Sequence, residues 1–145
     1  MITKKGRKHY GETQVDIREE LRGYSKANGY LTVHFADAIC LCESRLFHLS
    51  VDDETGAAER ICTNCDLEHL IGNSEEHIDE AELEESECLC GKGVFEITVG
   101  VALYRDSDDV RWIYIGCRCP SCSLVGCYGD WKNEYENYRV LLARV

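Results

Sequence analysis

Eight of the ten cysteines in this 145-residue chain come as four close pairs: Cys40 and Cys42, Cys62 and Cys65, Cys88 and Cys90, Cys119 and Cys122. Clustered thiols serve either disulfide frameworks or metal sites, and the compartment decides between them. The opening MITKKGRKHYGETQ carries charge but no apolar run that could form a signal-peptide core. No later stretch is long and apolar enough to cross a membrane. The expectation is a cytoplasmic protein with no membrane partner, whose reduced thiols hold metal. Two Cys pairs brought together supply four thiolates, the ligand set of a closed structural zinc site.

The pairs are arranged as a repeat. CLCESRLFHLSV (40–51) lies over CLCGKGVFEITV (88–99), 48 positions on, so that Phe47 falls on Phe95, Leu49 on Ile97 and Val51 on Val99. ICTNCDLEHLIGN (61–73) lies over RCPSCSLVGCYGD (118–130), 57 positions on. Each copy therefore reads C-x-C, hairpin, C-x-x-C, strand, with nine extra residues in the second hairpin. Phe95, Ile97, Val99, Val101 and Leu103 alternate with more polar positions, RDSDD (105–109) supplies turn residues, and VRWIYIGC returns. Hairpins this small are not stable unaided, so a metal staple is required.

That order of Cys pair, hairpin, Cys pair and third strand resembles the zinc-ribbon fold group, over residues 40–73 and 88–130 as tandem copies. The resemblance implies one zinc on Cys40, Cys42, Cys62 and Cys65 and a second on Cys88, Cys90, Cys119 and Cys122. The leading C-x-C departs from the more common C-x-x-C. As a group, zinc ribbons are mostly structural modules of transcription, translation and DNA-processing proteins. Pairing within each copy is favoured over crossed pairing, because an ancestral single copy needed its own complete site.

The elements around the pairs give an α+β chain, mainly β. It divides into a basic tip, helix and leading strand (1–39), a first lobe (40–73), an acidic linker (74–87), a second lobe (88–130) and a C-terminal amphipathic helix (131–145). A helix is predicted over 12–27, with Thr13 and Asp16 at capping-box-like spacing and Gly29 as its stop. The strand YLTVHFA then leads into Cys40 and is expected to extend the first lobe's sheet. Lys4, Lys5, Arg7 and Lys8 read as a solvated, disordered end. SEEHIDEAELEESE (74–87) holds eight acids and no Lys or Arg, and reads as an exposed linker or short helix. Trp131, Tyr135, Tyr138, Leu142 and Val145 recur at helical steps, a stripe that packs on a lobe or, if Trp131, Tyr135 and Tyr138 are exposed, binds a partner.

Two cysteines stay outside the scheme. Cys117 falls on Arg60 and Cys127 on Leu70 in the other copy. Burial as small hydrophobes, a redox pair and, for Cys117, alternative metal ligation are the readings open to them. His69 follows Cys65 closely, but its counterpart is Gly126, which argues against a ligand. No deaminase pattern, phosphate loop or nucleophile elbow appears, so the sequence supplies no positive sign of an enzyme.

A formal charge of −11 disfavours a general nucleic-acid binder. Each occupied four-thiolate site adds further negative charge. The expectation is a non-enzymatic, acidic protein-interaction module, such as an inhibitor or immunity-type protein held against a basic partner. The alternative is a nucleic-acid-associated protein that uses the basic tip with Trp112 or Tyr114 as stacking groups.

Overall fold

Alternating apolar residues flank each Cys pair, and they build two antiparallel sheets in the computed structural model, which describes residues 1–145 apart from the side chain of Tyr135. In chain order the elements are β1 (Thr3–Lys5), β2 (Lys8–Tyr10), α1 (Asp16–Asn28), β3 (His34–Asp37), β4 (Phe47–Asp52), β5 (Ala57–Cys62), β6 (Glu68–Leu70), β7 (Glu84–Glu85), β8 (Glu96–Leu103), β9 (Asp109–Arg118), β10 (Leu124–Asn137) and α2 (Tyr138–Leu142), with a 3₁₀ turn at Ser74–Glu76. One sheet runs β6-β5-β4-β7 and the other β1-β2-β10-β9-β8-β3. The architecture is mainly β, with a helix near each end.

The two hairpins share one register. Leu49 lies opposite Arg60 as Ile97 lies opposite Cys117. In the third strands, Arg60 faces His69 as Cys117 faces Gly126. Because side chains alternate faces along a strand, a common register gives both lobes the same inward set. Phe47, Leu49, Phe95 and Ile97 are accordingly all fully buried in one core.

The strand ahead of Cys40 does not extend the first lobe's sheet. β3 pairs instead with β8 of the second lobe, with Asp37 opposite Thr98 and Ala36 opposite Val99. β7, which precedes Cys88, pairs with β4 of the first lobe, with Glu85 opposite Ser50 and Glu84 opposite Val51. A shift of 48 positions converts one pairing into the other. Between them the equivalent residues Phe47 and Phe95 form a bridge, each N–H donating to the other's carbonyl at 2.9 and 2.8 Å. Beyond that bridge β4 and β8 diverge, and each leaves an edge of unpaired backbone groups that a neighbour must cover. The segment preceding the opposite lobe's Cys pair fills it: Ala38 N–H donates to Ile97 at 2.9 Å and Ser86 N–H to Leu49 at 2.7 Å. The lobes thus exchange edge strands.

Helix α1 covers only the second sheet. Ile17 and Leu21 are fully buried, and they pack where Gly116 leaves room: a Cβ there would meet Ile17 Cγ2 at 2.5 Å. The helix starts at Asp16, not at residue 12, because the Asp16 carboxylate accepts the Glu12 and Thr13 N–H groups at 2.7 and 3.1 Å and holds them in a turn. Gly29, at φ 91°, closes it with a left-handed cap. The basic tip is ordered into the β1–β2 hairpin and joins β10 with Tyr10 opposite Leu124. The acidic segment is tied down at both ends, by the Ser74 hydroxyl, which accepts from Ala58 N–H at 2.9 Å, and by β7.

The predicted helix over 131–145 is corrected to Tyr138–Leu142, because residues up to Asn137 continue β10. The extra residues of the second hairpin lengthen β9, and that length gives β10 a partner, with Trp131 opposite Ile113 and Asn137 opposite Asp109. Trp131 and Asn133 point inward while Lys132 and Glu134 are exposed, a two-residue period that aromatic strands favour. This half of β10 also crosses to the first lobe. Trp131 packs on Gly56, Val51 fills the space over Gly129, and Asn73 donates to Asn133 Oδ1 at 2.6 Å.

Candidate metal centres

Each cluster is built from two backbone turns. In the leading turns, Cys40 N–H donates to Ser44 at 2.9 Å and Cys88 N–H to Lys92 at 2.7 Å. The residue after each C-x-C, Glu43 or Gly91, takes positive φ, 73° and 90°. In the trailing turns, Cys62 N–H donates to Leu67 at 3.0 Å and Cys119 N–H to Leu124 at 2.9 Å. Asp66 and Ser123 then take φ of 63° and 70°. All four reversals therefore recur at equivalent positions, so the C-x-C departure does not prevent a tight metal-type turn.

These turns bring Cys40, Cys42, Cys62 and Cys65 together, and separately Cys88, Cys90, Cys119 and Cys122, with all sulfurs of a group within 4.8 Å of one another. The closest pairs are Cys40–Cys65 and Cys88–Cys122 at 3.5 Å, Cys42–Cys62 at 3.6 Å and Cys90–Cys119 at 3.7 Å. A disulfide needs about 2.05 Å. A tetrahedron with metal–sulfur distances of about 2.3 Å has edges of about 3.8 Å. The spacing therefore fits four thiolates around one metal ion, and zinc and iron are the ions such a sulfur set takes.

Proton chemistry points the same way. Burial opposes ionisation of Cys62, but N–H groups of Cys65 and Asn64 outweigh it and pull the thiol down to about 6. Cys90, with the Lys92 N–H directed at it, falls to about 7. Cys88 is pushed up by burial and by the sulfurs around it. Four sulfurs this close cannot all ionise on their own, and a divalent cation at the centre removes the obstacle.

The remaining predicted residues lie elsewhere. Cys117 and Cys127 belong to neither cluster. Cys117 faces Gly126 and Cys127 faces Gly116, adjacent rungs of one ladder, so the two side chains leave the sheet on opposite faces. Cys117 sits in the core between the lobes and Cys127 against the α1 side. They cannot bond to each other, and burial raises both thiols, Cys127 to about 12. His69 bonds the Arg144 carbonyl at 2.6 Å and joins no cluster.

The aromatic groups assigned to partners are committed internally. Trp131 is 7% exposed, and Tyr138 stacks on His34 with centroids 3.9 Å apart. The Tyr135 side chain lies outside the described residues. Tyr114 is fully buried, and Trp112 stacks on Tyr30 and donates to Asp130 at 2.9 Å. The sequence did not single out Arg60, which is buried beside the first cluster, although its alignment with Cys117 marked the position as one where the copies differ.

No protein family, curated protein or solved structure matches the chain. Two clusters of four cysteines, each able to hold a metal ion, are established by geometry alone. Among the described residues no helix is long and apolar enough to cross a membrane.

Proposed function

We propose that the chain is a non-enzymatic binding module of two zinc-ribbon-like lobes, stapled by two structural zinc ions, that presents an acidic face to a basic protein partner. The carrying observation is that each cluster brings four cysteine sulfurs within 4.8 Å of one another, one for every corner of a tetrahedral site. A catalytic zinc keeps one position for water or substrate, and these sites keep none. The common register and the equivalent turns support descent of both lobes from one duplicated ribbon.

The acidic face is a cleft of about 460 Å³ between the β4–β5 turn and the segment leading into β7. Asp52, Asp53, Glu54, Glu80, Glu82 and Glu84 line it. These acids sit on a fixed backbone. Asp52 accepts from the N–H groups of Glu82 and Glu54 at 2.9 and 3.1 Å, which keeps its carboxyl below the usual range. A fixed row of like charges favours a cationic ligand and speeds its approach.

Elemental analysis with native mass spectrometry tests the metal, and two zinc ions per chain are expected. Titration with a lysine-rich protein at rising ionic strength tests the face. Affinity should fall steeply with salt and drop about tenfold or more when Glu80, Glu82 and Glu84 are changed to Lys. Affinity indifferent to both would sink the acidic-module reading.

One observation favours a nucleic-acid reading as the second choice: the β1–β2 hairpin displays Lys4, Lys5, Arg7 and Lys8 together at an exposed sheet edge. Single-strand binding that disappears when all four become Gln would support it. The buried or occupied state of Tyr114 and Trp112 removes the stacking groups it would have used.

A further inference from the structure

Arg60 is buried to 5% exposure beside the first cluster. Its guanidinium lies 4.5 Å above the ring centroid of Phe47, and Nε donates to the Val145 carbonyl at 2.7 Å. Nη1 is sealed from water and finds no acceptor among the described residues. A buried cationic donor left without an acceptor is strongly unfavourable, and negative charge close by offsets that cost. The neighbouring cleft is lined by Asp37, Ile39, Leu41 and Leu67 and by Arg60 itself, but a ligand entering it does not reach Nη1, which has no accessible surface. What lies on that side is the first cluster: Arg60 and Cys62 are alternate buried residues of β5 and so share one face, and Phe47, the ring under the guanidinium, is the residue opposite Cys62.

The second cluster is built differently at the same point. Opposite Ile97, where the first lobe has Arg60 opposite Leu49, stands the uncharged and fully buried Cys117. Next along the strand, Arg118 turns to the other face and is paired with Glu96. Lys92, in the leading turn, is exposed to water, which screens it. Tyr128, packed with its ring 4.9 Å from that of Phe95, is an uncharged neighbour of this core.

We propose that Arg60 is the outer-sphere counter-ion of the first metal site, its buried charge set beside the thiolates, so that two sites with identical ligands differ in charge and in how tightly they hold their sulfurs. Four thiolates and a divalent ion carry a net charge of about −2, which Arg60 halves at the first site and nothing equivalent offsets at the second. A cation held beside metal-bound thiolates lowers their nucleophilicity and opposes metal loss. The second site is therefore the reactive and labile one. Exposure alone gives the opposite ranking, since Cys42 and Cys65 are both exposed while Cys122 is only half-exposed.

The inference rests on metal occupancy, and the experiment separates the two. The full chain, loaded with zinc and verified by native mass, is treated with iodoacetamide, and initial modification rates are read cysteine by cysteine. Cys88, Cys90, Cys119 and Cys122 should react before Cys40, Cys42, Cys62 and Cys65. R60Q should speed the first group about tenfold while leaving the second unchanged, and R60K should recover most of the protection. Equal rates for the two groups in the unmutated protein, or a faster first group, overturn the proposal without any variant having to fold. A chain that binds no metal in the native mass measurement overturns the metal reading itself, and this inference with it.

Discussion

The two lobes have the same cysteine pairs, turns and strand register, yet only the second has the long helix α1 lying across its sheet. The second lobe has long strands, α1 on its outer face and neutral Cys117 behind its metal cluster. The first has short strands, no helix of its own and Arg60 in that place. A hairpin of the first lobe's size cannot bury enough to stand alone. The C-terminal half of β10, the borrowed strand β7 and Leu141 of α2 cover it, and the proposed metal would supply the rest. Identical ligands thus fix only a local turn, while the surroundings decide how much structure depends on it.

The largest expected effect separates linked lobes from independent ones. C62S should release one zinc and lower stability by several kcal/mol, out of about 10–16 kcal/mol that such a site contributes in zinc-finger peptides. Because edge strands are exchanged, C62S and C119S should each broaden or lower a single melting transition seen by circular dichroism across both sheets. If C62S left the second sheet's melt untouched, the lobes would be independent. Next comes the seam. W131A should cost about 3–5 kcal/mol, read from denaturant unfolding, as it empties the contact with Gly56.

A smaller effect distinguishes the helix-covered lobe. G116A places a methyl group against Ile17 and should cost about 1–3 kcal/mol, measured as a lower denaturation midpoint. The equivalent position in the first lobe is Glu59, and E59A should shift the midpoint far less, because no helix lies over it. Smallest are the tips of the leading turns. Leu41 and Leu89 hold equivalent positions at 91% and 76% exposure, so L41S and L89S should each stay within about 0.5 kcal/mol of the unmutated protein.

The two four-cysteine clusters were legible in the sequence because a C-x-C or C-x-x-C pair fixes its own turn over a handful of neighbouring residues. Strand alternation in 95–103 and the Gly29 stop were legible for the same local reason. The exchange of β3 and β7 was not. Two residues, Glu84 and Glu85, carry no strand signal, and only their distance ahead of Cys88, equal to that of Ala36 and Asp37 ahead of Cys40, points to it. The 131–137 segment misled because Trp131, Tyr135 and Tyr138 fit a helical period, whereas the partner that makes it a strand is β9, far earlier in the chain. Arg60 escaped notice because its role depends on what lies behind a cluster, which spacing does not record.

The exchange has a consequence for how the chain can assemble as it is synthesised. Once Cys65 has left the ribosome, the first metal site has all its ligands and can close. β3 must still wait, since its partner residues on β8 run to Val101 and lie a further 36 positions along. The edge of β4 likewise stays open until Glu84 and Glu85 arrive. If the first cluster takes its proposed metal at that stage, uptake precedes sheet completion, and the nascent chain then carries a closed thiolate cluster beside two unpaired strand edges.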